Sequence, residues 1–264
     1  MKLKTDLRVD NKKSWKGSYR GFLGLISFST ILPLNIHTSI QEMAKFTWLW
    51  PIIGGFIGIL VGLLGYVTMD LITIPQLVAA AIIYSFAIWF TGFHHLDGLV
   101  DFGDAVMAHG HPEKRIQIMR DTRIGTGGLA YLFIVGILTV ASIASAPIGL
   151  IFFILLVSEV AAKLGLVTCS TFSKPYPNGT GKYFIEAMTP KILLLSLIIT
   201  LIIGYLVLNT TGIIGIAGGL IGGIIMAVVS RMKFIYATGD ILGASNEISR
   251  MIALVLMIGY LSMI

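Results

Sequence analysis

The chain has 264 residues, of which 56% are hydrophobic and only 12% are charged, and its mean hydropathy is +0.89. A soluble domain carries about 25% charged residues, so this composition excludes an ordinary soluble domain and indicates a helical membrane protein. The net charge of +6 does not predict a nucleic-acid partner, because the basic residues concentrate in the first 20 residues and at the ends of apolar runs. Basic residues in those places orient a protein in a membrane.

The predicted elements begin with a basic amino-terminal segment, residues 1–20, and an apolar segment, Gly21–Leu34. The apolar segment is too short to span a bilayer, and Pro33 disfavours a helix at Leu32, so we expect it to be re-entrant or interfacial. About seven spanning runs follow, which predicts an all-α, polytopic integral membrane helical bundle in a single domain, residues 1–264. The predicted spans are Leu49–Met69, Ile74–Gly92, Leu129–Ala146, Ile148–Thr168, Ile192–Leu208, Gly212–Ser230 and roughly Ile248–Ile264.

The charges of the loops predict how the spans are oriented. Three loops carry basic residues, namely residues 93–128, 169–191 and 231–247, whereas the loops between them contain neither Lys nor Arg. By the positive-inside rule, the basic loops and the amino terminus face the cytoplasm. We therefore expect a multi-pass protein of the cell (cytoplasmic) membrane, in which residues 93–128 form a cytoplasmic active-site loop.

Small and charged residues inside the spans predict how the helices pack. Glu159 and Lys163 lie four residues apart within one span. Because charge inside a membrane is costly, these two residues are expected either to form an ion pair or to serve the function. Glycines recur every four residues in two other spans, which allows helix backbones to approach closely in lipid. These glycines are Gly54, Gly58 and Gly62, and Gly215, Gly219 and Gly223.

The loop at residues 93–128 contains an acidic triplet, Asp97, Asp101 and Asp104. The spacing i, i+4, i+7 places the three carboxylates on one face of a helix, where they repel one another unless a cation is bound. Ligands that are all oxygen favour Mg²⁺, Mn²⁺ or Ca²⁺ over zinc, and Mg²⁺ commonly combines one or two carboxylates with substrate phosphates. The triplet therefore predicts a divalent metal site for a diphosphate substrate.

The residues that follow the triplet predict a membrane contact and a phosphate contact. Pro112–Met119 has the pattern of an amphipathic helix, with Ile116 and Met119 expected on the bilayer surface. Arg123 is suited to clamp a phosphate, and the glycines after it allow backbone N–H groups to approach the phosphate at the start of the next helix. These glycines are Gly125, Gly127 and Gly128.

The loops at residues 93–128 and 231–247, together with a segment near the amino terminus, resemble the cobalamin synthase family, whereas the sector Thr168–Ile185 matches it only loosely. The family pattern is roughly G-G-x-H-L-D-G-L-A-D-x-x-D-G followed by R-x-x-I-M-[RK]-D-[ST]-R-[IL]-G-T-x-G. The matching residues are His95-Leu96-Asp97-Gly98-Leu99, Asp101, Asp104 and Arg115–Gly128, and then Phe28–Pro33, Thr238–Ala244 and Glu247. The departures remove no carboxylate, and they are Phe93, His94, Val100 and Ala105.

The resemblance implies a specific reaction, that of an adenosylcobinamide-GDP ribazoletransferase. In that reaction α-ribazole, or its 5′-phosphate, attacks adenosylcobinamide-GDP, so that adenosylcobalamin or its 5′-phosphate forms and GMP leaves. Mg²⁺ is the implied cofactor. The implied partners are the two substrates and the lipid bilayer, with a homo-oligomer or other cobalamin-assembly enzymes as further candidates.

The resemblance also assigns expected roles to individual residues. The residues expected in catalysis are Asp97, Asp101 and Asp104 as metal ligands, Arg123 as a phosphate contact, and His95 as a general base, a role that an unliganded carboxylate could also fill. The residues expected to bind the substrate or its metal are Arg120, Asp121, Gly125, Thr126, Lys174, Asp240 and Glu247.

Other functions remain open when only the residues are considered. A CDP-alcohol phosphotransferase has Asp-Gly-x-x-Ala-Arg in its motif, whereas here Asp97-Gly98 is followed by Leu99-Val100-Asp101. A prenyltransferase has Asp-Asp clusters, and the chain contains no Asp-Asp pair. A cation-coupled transporter would carry its carboxylates near the middle of the bilayer, and only Glu159 fits that position.

Overall fold

The computed structural model describes residues 13–264, and side chains from residue 19 onward, so most of the predicted segment 1–20 lies outside the described residues. Residues 13–264 contain no strand, only an isolated parallel bridge between Pro175 and Ala237. The all-α prediction is therefore confirmed. The α-helices are α1 (Lys13–Ser29), α2 (Ile40–Ala44), α3 (Trp50–Gly65), α4 (Gln76–Phe90), α5 (His94–Met107), α6 (Pro112–Met119), α7 (Thr126–Ala144), α8 (Ile151–Phe172), α9 (Gly181–Glu186), α10 (Pro190–Lys233) and α11 (Gly239–Leu261).

The long apolar helices confirm a polytopic membrane bundle. Within residues 13–264, five helices are long and apolar enough to cross a membrane, or six if the bent pair α4 and α5 counts as one span. Helix α10 has 44 residues but departs from helical dihedral angles at Leu208 and Asn209. Beyond this break the backbone of Gly212 packs against Gly204, so α10 consists of two antiparallel halves. Each of the seven predicted runs thus coincides with a helix or with half of one.

Helix α1 packs at the end of the bundle where the polar loops lie. A Cβ at Gly21 would meet Phe46, and one at Gly24 would meet Thr38, so α1 lies along the segment that leads into α3. After α1, the amide of Ile31 donates a hydrogen bond of 2.9 Å to the carbonyl oxygen of Phe90, the last residue of α4. Helix α1 therefore stays at one end of the bundle, which agrees with the expectation that Gly21–Leu34 does not cross.

Helix α8 is the centre around which α3, α10 and α11 pack, and glycine makes the close contacts possible. A Cβ added at Gly58 of α3 would lie 2.8 Å from the Leu156 backbone of α8. In the second half of α10, Gly219 and Gly223 meet the carbonyl oxygens of Ala161 and Gly165 in the same way. The prediction that the repeated glycines serve close helix packing is confirmed.

A sharp bend between α4 and α5 brings the acidic triplet into the bundle. The two helices meet at 94°, and the backbone turns through Gly92 and Phe93 with φ of 67° and 59°. A positive φ is easily adopted by Gly but uncommon for a bulky residue, so Phe93 holds a strained conformation. Helix α5 then packs against α7 and α11, and Gly98 contacts the backbone of Asp240. The predicted loop 93–128 is thus largely two packed helices, α5 and α6.

The prediction that α6 rests on the bilayer surface is wrong. The helix has the predicted bounds, but Ile116 and Met119 are buried against protein, with 4% and 1% exposure. The hydroxyl of Thr238 lies 3.1 Å from the sulfur of Met119, and Arg115 donates hydrogen bonds to the carbonyl oxygens of Ala105 and Val106. Arg115 thereby satisfies carbonyl groups in the last turn of α5 with hydrogen bonds, as basic side chains often do at helix ends. The apolar face of α6 serves the protein core.

The glycine contacts predict that Gly58→Ala destabilises the bundle by about 1–3 kcal/mol, because a methyl group there would force α3 away from α8. Gly55→Ala in the same helix is the matched control, since a Cβ at Gly55 would meet only a side-chain methyl group, at 3.8 Å. Unfolding of both variants by SDS in detergent micelles measures the difference. Equal stability of the two variants would contradict the close packing of α3 on α8.

Candidate active site

The three predicted aspartates lie on helix α5, on the face opposite its buried side. Leu99 and Phe102 of α5 are buried in the core, whereas Asp97 is exposed and both Asp101 and Asp104 are half-buried. The predicted helical spacing of the carboxylates is therefore present. Their environments differ, however, and this difference separates their chemical roles.

Asp104 is engaged by the start of helix α7. Its two carboxylate oxygens accept hydrogen bonds from the amides of Gly125, at 2.7 Å, and Gly128, at 2.8 Å. A carboxylate at the amino-terminal end of a helix accepts orphan amides and suits the positive end of the helix dipole. A Cβ at Gly127 or Gly128 would also clash with α5, because the backbones of Gly103 and Val100 lie against these glycines. The glycine-rich turn thus joins α5 to α7, and a phosphate at these two amides would have to displace Asp104.

A cavity of about 220 Å³ lies at the end of the bundle that carries the polar loops. It is lined by His95 and Asp97 from α5, by Asp240 from α11, by Thr180 before α9, and by Phe28 from α1. Residues of all three predicted cytoplasmic loops therefore meet at one end of the bundle. Of the predicted site residues, His95, Asp97 and Asp240 come together here.

A second cavity of about 110 Å³ adjoins the first and adds positive charge. Both cavities are lined by Thr180 and Asp240, and the second is also lined by Arg120 and Lys182. The guanidinium of Arg120 lies over the ring of Tyr176, 5.9 Å from the ring centroid. Carboxylates and cations thus line two adjoining cavities that share Asp240, an arrangement that suits a cation and a phosphate together.

The carboxylates near the first cavity repel one another. Burial, and then the charges of Asp97, Asp240 and Asp104, raise the pKa of Asp101 to about 7. Among the described residues, no three His, Cys, Asp or Glu side chains are already grouped around one point as a complete metal site. The oxygen-only donor set nevertheless fits Mg²⁺, which commonly takes one or two carboxylates and completes its shell with phosphate oxygens and water.

A buried network of charges lies beneath the cavity. Arg250 donates hydrogen bonds to Glu159 at 2.7 Å and 3.2 Å and to Glu247 at 2.5 Å, and Tyr84 donates to Glu247 at 3.2 Å. The expected ion pair between Glu159 and Lys163 is therefore wrong, because Arg250 takes the carboxylate instead. Glu247, expected to contact the substrate, faces this network and not the two cavities.

Lys163 connects this network to the cavity. Its ammonium nitrogen lies 2.9 Å from Nε2 of His95 and 2.9 Å from Oδ1 of Asn246, and Asn246 donates to Glu247 at 3.2 Å. Sequence reasoning missed Arg250, Asn246 and Tyr84. The sequence did contain one indication of this network. Glu247 and Arg250 lie three residues apart at the start of an apolar run, a spacing that favours an ion pair on a helix.

The remaining predicted residues lie away from the two cavities. Arg123 and Asp121 form a salt bridge of 2.7 Å with side-chain exposures of 87% and 37%, and the hydrogen bond from Arg123 lowers the pKa of Asp121. Thr126 occupies the first turn of α7. Lys174 lies 4.8 Å from the ring centroid of Tyr236. The described structure brings none of these four predicted residues to the lining of either cavity.

Comparison with known proteins identifies the family. A family model described as cobalamin-5-phosphate synthase matches residues 21–258. The chain belongs to this family. Proteins from Methanococcoides burtonii and Methanosarcina mazei, each named adenosylcobinamide-GDP ribazoletransferase, are 31% and 32% identical to it, over 87% and 86% of this chain and 88% of each relative. A protein of the same name from Methanocella arvoryzae is 32% identical over 89% of this chain and 93% of its own length. No solved structure matches the chain.

The buried network predicts that Arg250→Met lowers the free energy of unfolding by about 3–5 kcal/mol, since it leaves the carboxylates of Glu159 and Glu247 buried without a partner. Arg123→Met is the matched control, because Arg123 forms only an exposed ion pair and its loss should leave unfolding unchanged. SDS-induced unfolding of both variants in detergent micelles measures the contrast. An Arg250→Met variant as stable as the control would contradict this account of the network.

Proposed function

We propose that this chain joins α-ribazole, or its 5′-phosphate, to adenosylcobinamide-GDP, with release of GMP. Membership of the cobalamin-5-phosphate synthase family supports the reaction, and the names of the relatives agree with it. The observation that carries the proposal is the pair of adjoining cavities, in which Asp97 and Asp240 lie beside Arg120 and Lys182. A diphosphate donor needs both the carboxylates, which can hold a metal ion, and the basic side chains, because its negative charge must be neutralised where the bond breaks.

Asp97 and Asp101 of α5, together with Asp240 of α11, are the residues that would hold Mg²⁺. Burial and then the repulsion of neighbouring carboxylates raise the pKa of Asp101, and the repulsion supports this choice, since a cation among these carboxylates removes it. Bound there, Mg²⁺ would supply charge neutralisation for the diphosphate and for the departing phosphate of GMP. Asp104 positions the other two α5 carboxylates, because its bonds to Gly125 and Gly128 fix α5 against α7.

The cations and aromatic rings of the chain suit the remaining parts of the substrates. Arg120 and Lys182 can bind anionic oxygens of the donor or the acceptor from the second cavity. An aromatic wall of the first cavity is formed by Phe28, Trp50 and Phe184, with Phe184 5.1 Å from Phe28 and 5.4 Å from Trp50 between ring centroids. We assign this wall to the planar base of α-ribazole, because flat rings pack well against aromatic side chains.

The size of the cavity limits how much of the donor enters it. Ligand pockets typically measure about 300–1,000 Å³, so a cavity of about 220 Å³ admits the reacting end of the donor and not its corrin ring. The corrin ring would then remain outside, at the polar end of the bundle. We further propose that this end faces the cytoplasm, because the loops that form it carry the basic residues of the positive-inside pattern.

The buried charges do not support the transporter alternative. A coupling carboxylate in a transporter must be accessible to its ion, whereas Glu159 is 1% exposed and held by Arg250. Glu247 is bound in the same way. These carboxylates therefore stabilise the bundle, and the accessible ones lie at its polar end.

The proposed reaction predicts Mg²⁺-dependent release of GMP when the purified protein, in detergent or lipid nanodiscs, receives adenosylcobinamide-GDP and α-ribazole. We expect Asp97→Asn and Asp101→Asn each to lower kcat/KM by at least about a hundredfold, because each removes a charged ligand of the metal. Both variants should still insert into the membrane. Glu113→Gln, at an exposed carboxylate on α6, is the matched control and should react normally. Wild-type protein that releases no GMP would contradict the proposal.

The pKa of Asp101 near 7 predicts that Mg²⁺ binding in the absence of substrate depends on pH. Asp101 is protonated below this value and charged above it, so the affinity for Mg²⁺ should rise about tenfold from pH 6 to pH 8, with proton release on binding. Calorimetric titration in buffers of different ionisation enthalpy measures both quantities. In Asp101→Asn the affinity should be weaker and nearly independent of pH, and an unchanged pH dependence in this variant would assign it to another group.

A further inference from the structure

His95 lies between the cavity and the buried charge network. His95 is one of the residues that line the first cavity, and its Nε2 atom lies 2.9 Å from the ammonium nitrogen of Lys163. Lys163 itself is only 1% exposed and has Oδ1 of Asn246 as its second partner, also at 2.9 Å. One nitrogen of the imidazole thus contacts a buried lysine. That contact determines which ring nitrogen carries the proton, and therefore whether His95 can donate a hydrogen bond to a substrate.

The charges around Lys163 indicate that it is an ammonium ion. The network contains the carboxylates of Glu159 and Glu247 and the guanidinium of Arg250, all of them buried. A charged Lys163 makes two positive and two negative charges, so that the network is neutral as a whole, and buried charges require such compensation. Without a charge on Lys163, one buried carboxylate would lack a counter-charge.

An ammonium ion has three donors and no acceptor. Both partners of Lys163 must therefore accept, and the acceptor on His95 is the lone pair of Nε2. A neutral imidazole has one acceptor nitrogen and one N–H, so its proton resides on Nδ1. No described residue forms a hydrogen bond with Nδ1, and Nδ1 is not one of the buried side-chain atoms without a partner, so this nitrogen is accessible, on a residue that lines the cavity.

We propose that Lys163 is a positioning residue that fixes His95 as a hydrogen-bond donor, with its Nδ1–H directed at an anionic phosphate oxygen of the substrate in the first cavity. The identity of the bound oxygen rests on the function proposed above. The role differs from the general base that the sequence suggested for His95, because a base needs a free lone pair and the interior lysine already binds that of Nε2. A hydrogen-bond donor that is already in position stabilises the charge that develops in the transition state. It accelerates the reaction because it does not have to reorient while the reaction proceeds.

The tautomer can be tested without any turnover. The chain contains five histidines, and the protein labelled with ¹⁵N-histidine in lipid nanodiscs gives their ring nitrogens by solid-state NMR. Comparison with His95→Asn assigns the signals of His95. We expect the proton of His95 on Nδ1 in the wild type and at least partly on Nε2 in Lys163→Met. A wild-type His95 protonated on Nε2, or a tautomer unaffected by Lys163→Met, would overturn the proposal.

Kinetics of GMP release then test the donor role. The side-chain amide of Asn carries its nitrogen at the position of Nδ1, and that of Gln carries it near the position of Nε2. We expect His95→Gln to lower kcat about a hundredfold, as loss of one preorganised donor does, and His95→Asn to retain several times more activity than His95→Gln. Equal loss in both variants, or the reverse order, would contradict a donor at Nδ1.

Variants of Lys163 separate positioning from stability. Lys163→Met should lower kcat about 10–100-fold, the usual effect of losing a group that orients an active-site histidine, with little change in KM, and Lys163→Arg should restore part of the rate. Ser245→Ala is the control, because Ser245 donates a buried hydrogen bond of 3.2 Å from α11 to Gly165 of α8 without touching His95. Activity of Lys163→Met equal to that of Ser245→Ala would refute the positioning role. If the wild type releases no GMP, the proposed function fails, while the NMR result still decides the tautomer.

Discussion

The placement of Arg250 between Glu159 and Glu247 is the interaction on which the interior of the bundle depends. It joins α8 to α11, and Tyr84 adds α4 through its bond to Glu247. Each of these charges would be very costly alone in an apolar interior, so the helices that carry them have one arrangement in which all are compensated. Lys163 extends this arrangement to His95, and α5 is thereby joined to charges deep in the protein.

Glycine supplies the second constraint, because it lets the helix backbones approach closely. Helices α3 and α10 contact α8 through glycines that leave no space for a Cβ, and Gly98 of α5 meets α11 at Asp240 in the same way. The bend at Gly92 and Phe93 turns α5 back over the bundle. Close packing and the bend together bring carboxylates that are far apart in the sequence, Asp97 and Asp240, to one cavity.

Local patterns in the sequence were sufficient to predict the helices and much less informative about their partners. The apolar runs gave the helical spans, and the spacing of Asp97, Asp101 and Asp104 gave a helical acidic face, because both depend on the period of a single helix. The ion pair expected for Glu159 was wrong since its partner lies 91 residues further along the chain. The amphipathic pattern of α6 was read correctly, but the pattern does not state whether lipid or protein covers the apolar face.

Asp104 illustrates why a sequence motif does not predict which of its residues have which role. It belongs to the same triplet as Asp97, yet two amides of α7 surround it, whereas Asp97 faces the cavity with Asp240. A carboxylate bound by amides is already stabilised and gains little from a cation, while carboxylates that repel one another gain much. The tightly bound carboxylate therefore fixes the helix, and we propose that the repelling ones supply the affinity for a metal. Asp104 joins α5 to α7 through Gly125 and Gly128, and this contact helps to hold Asp97 at the cavity that Asp240 also lines.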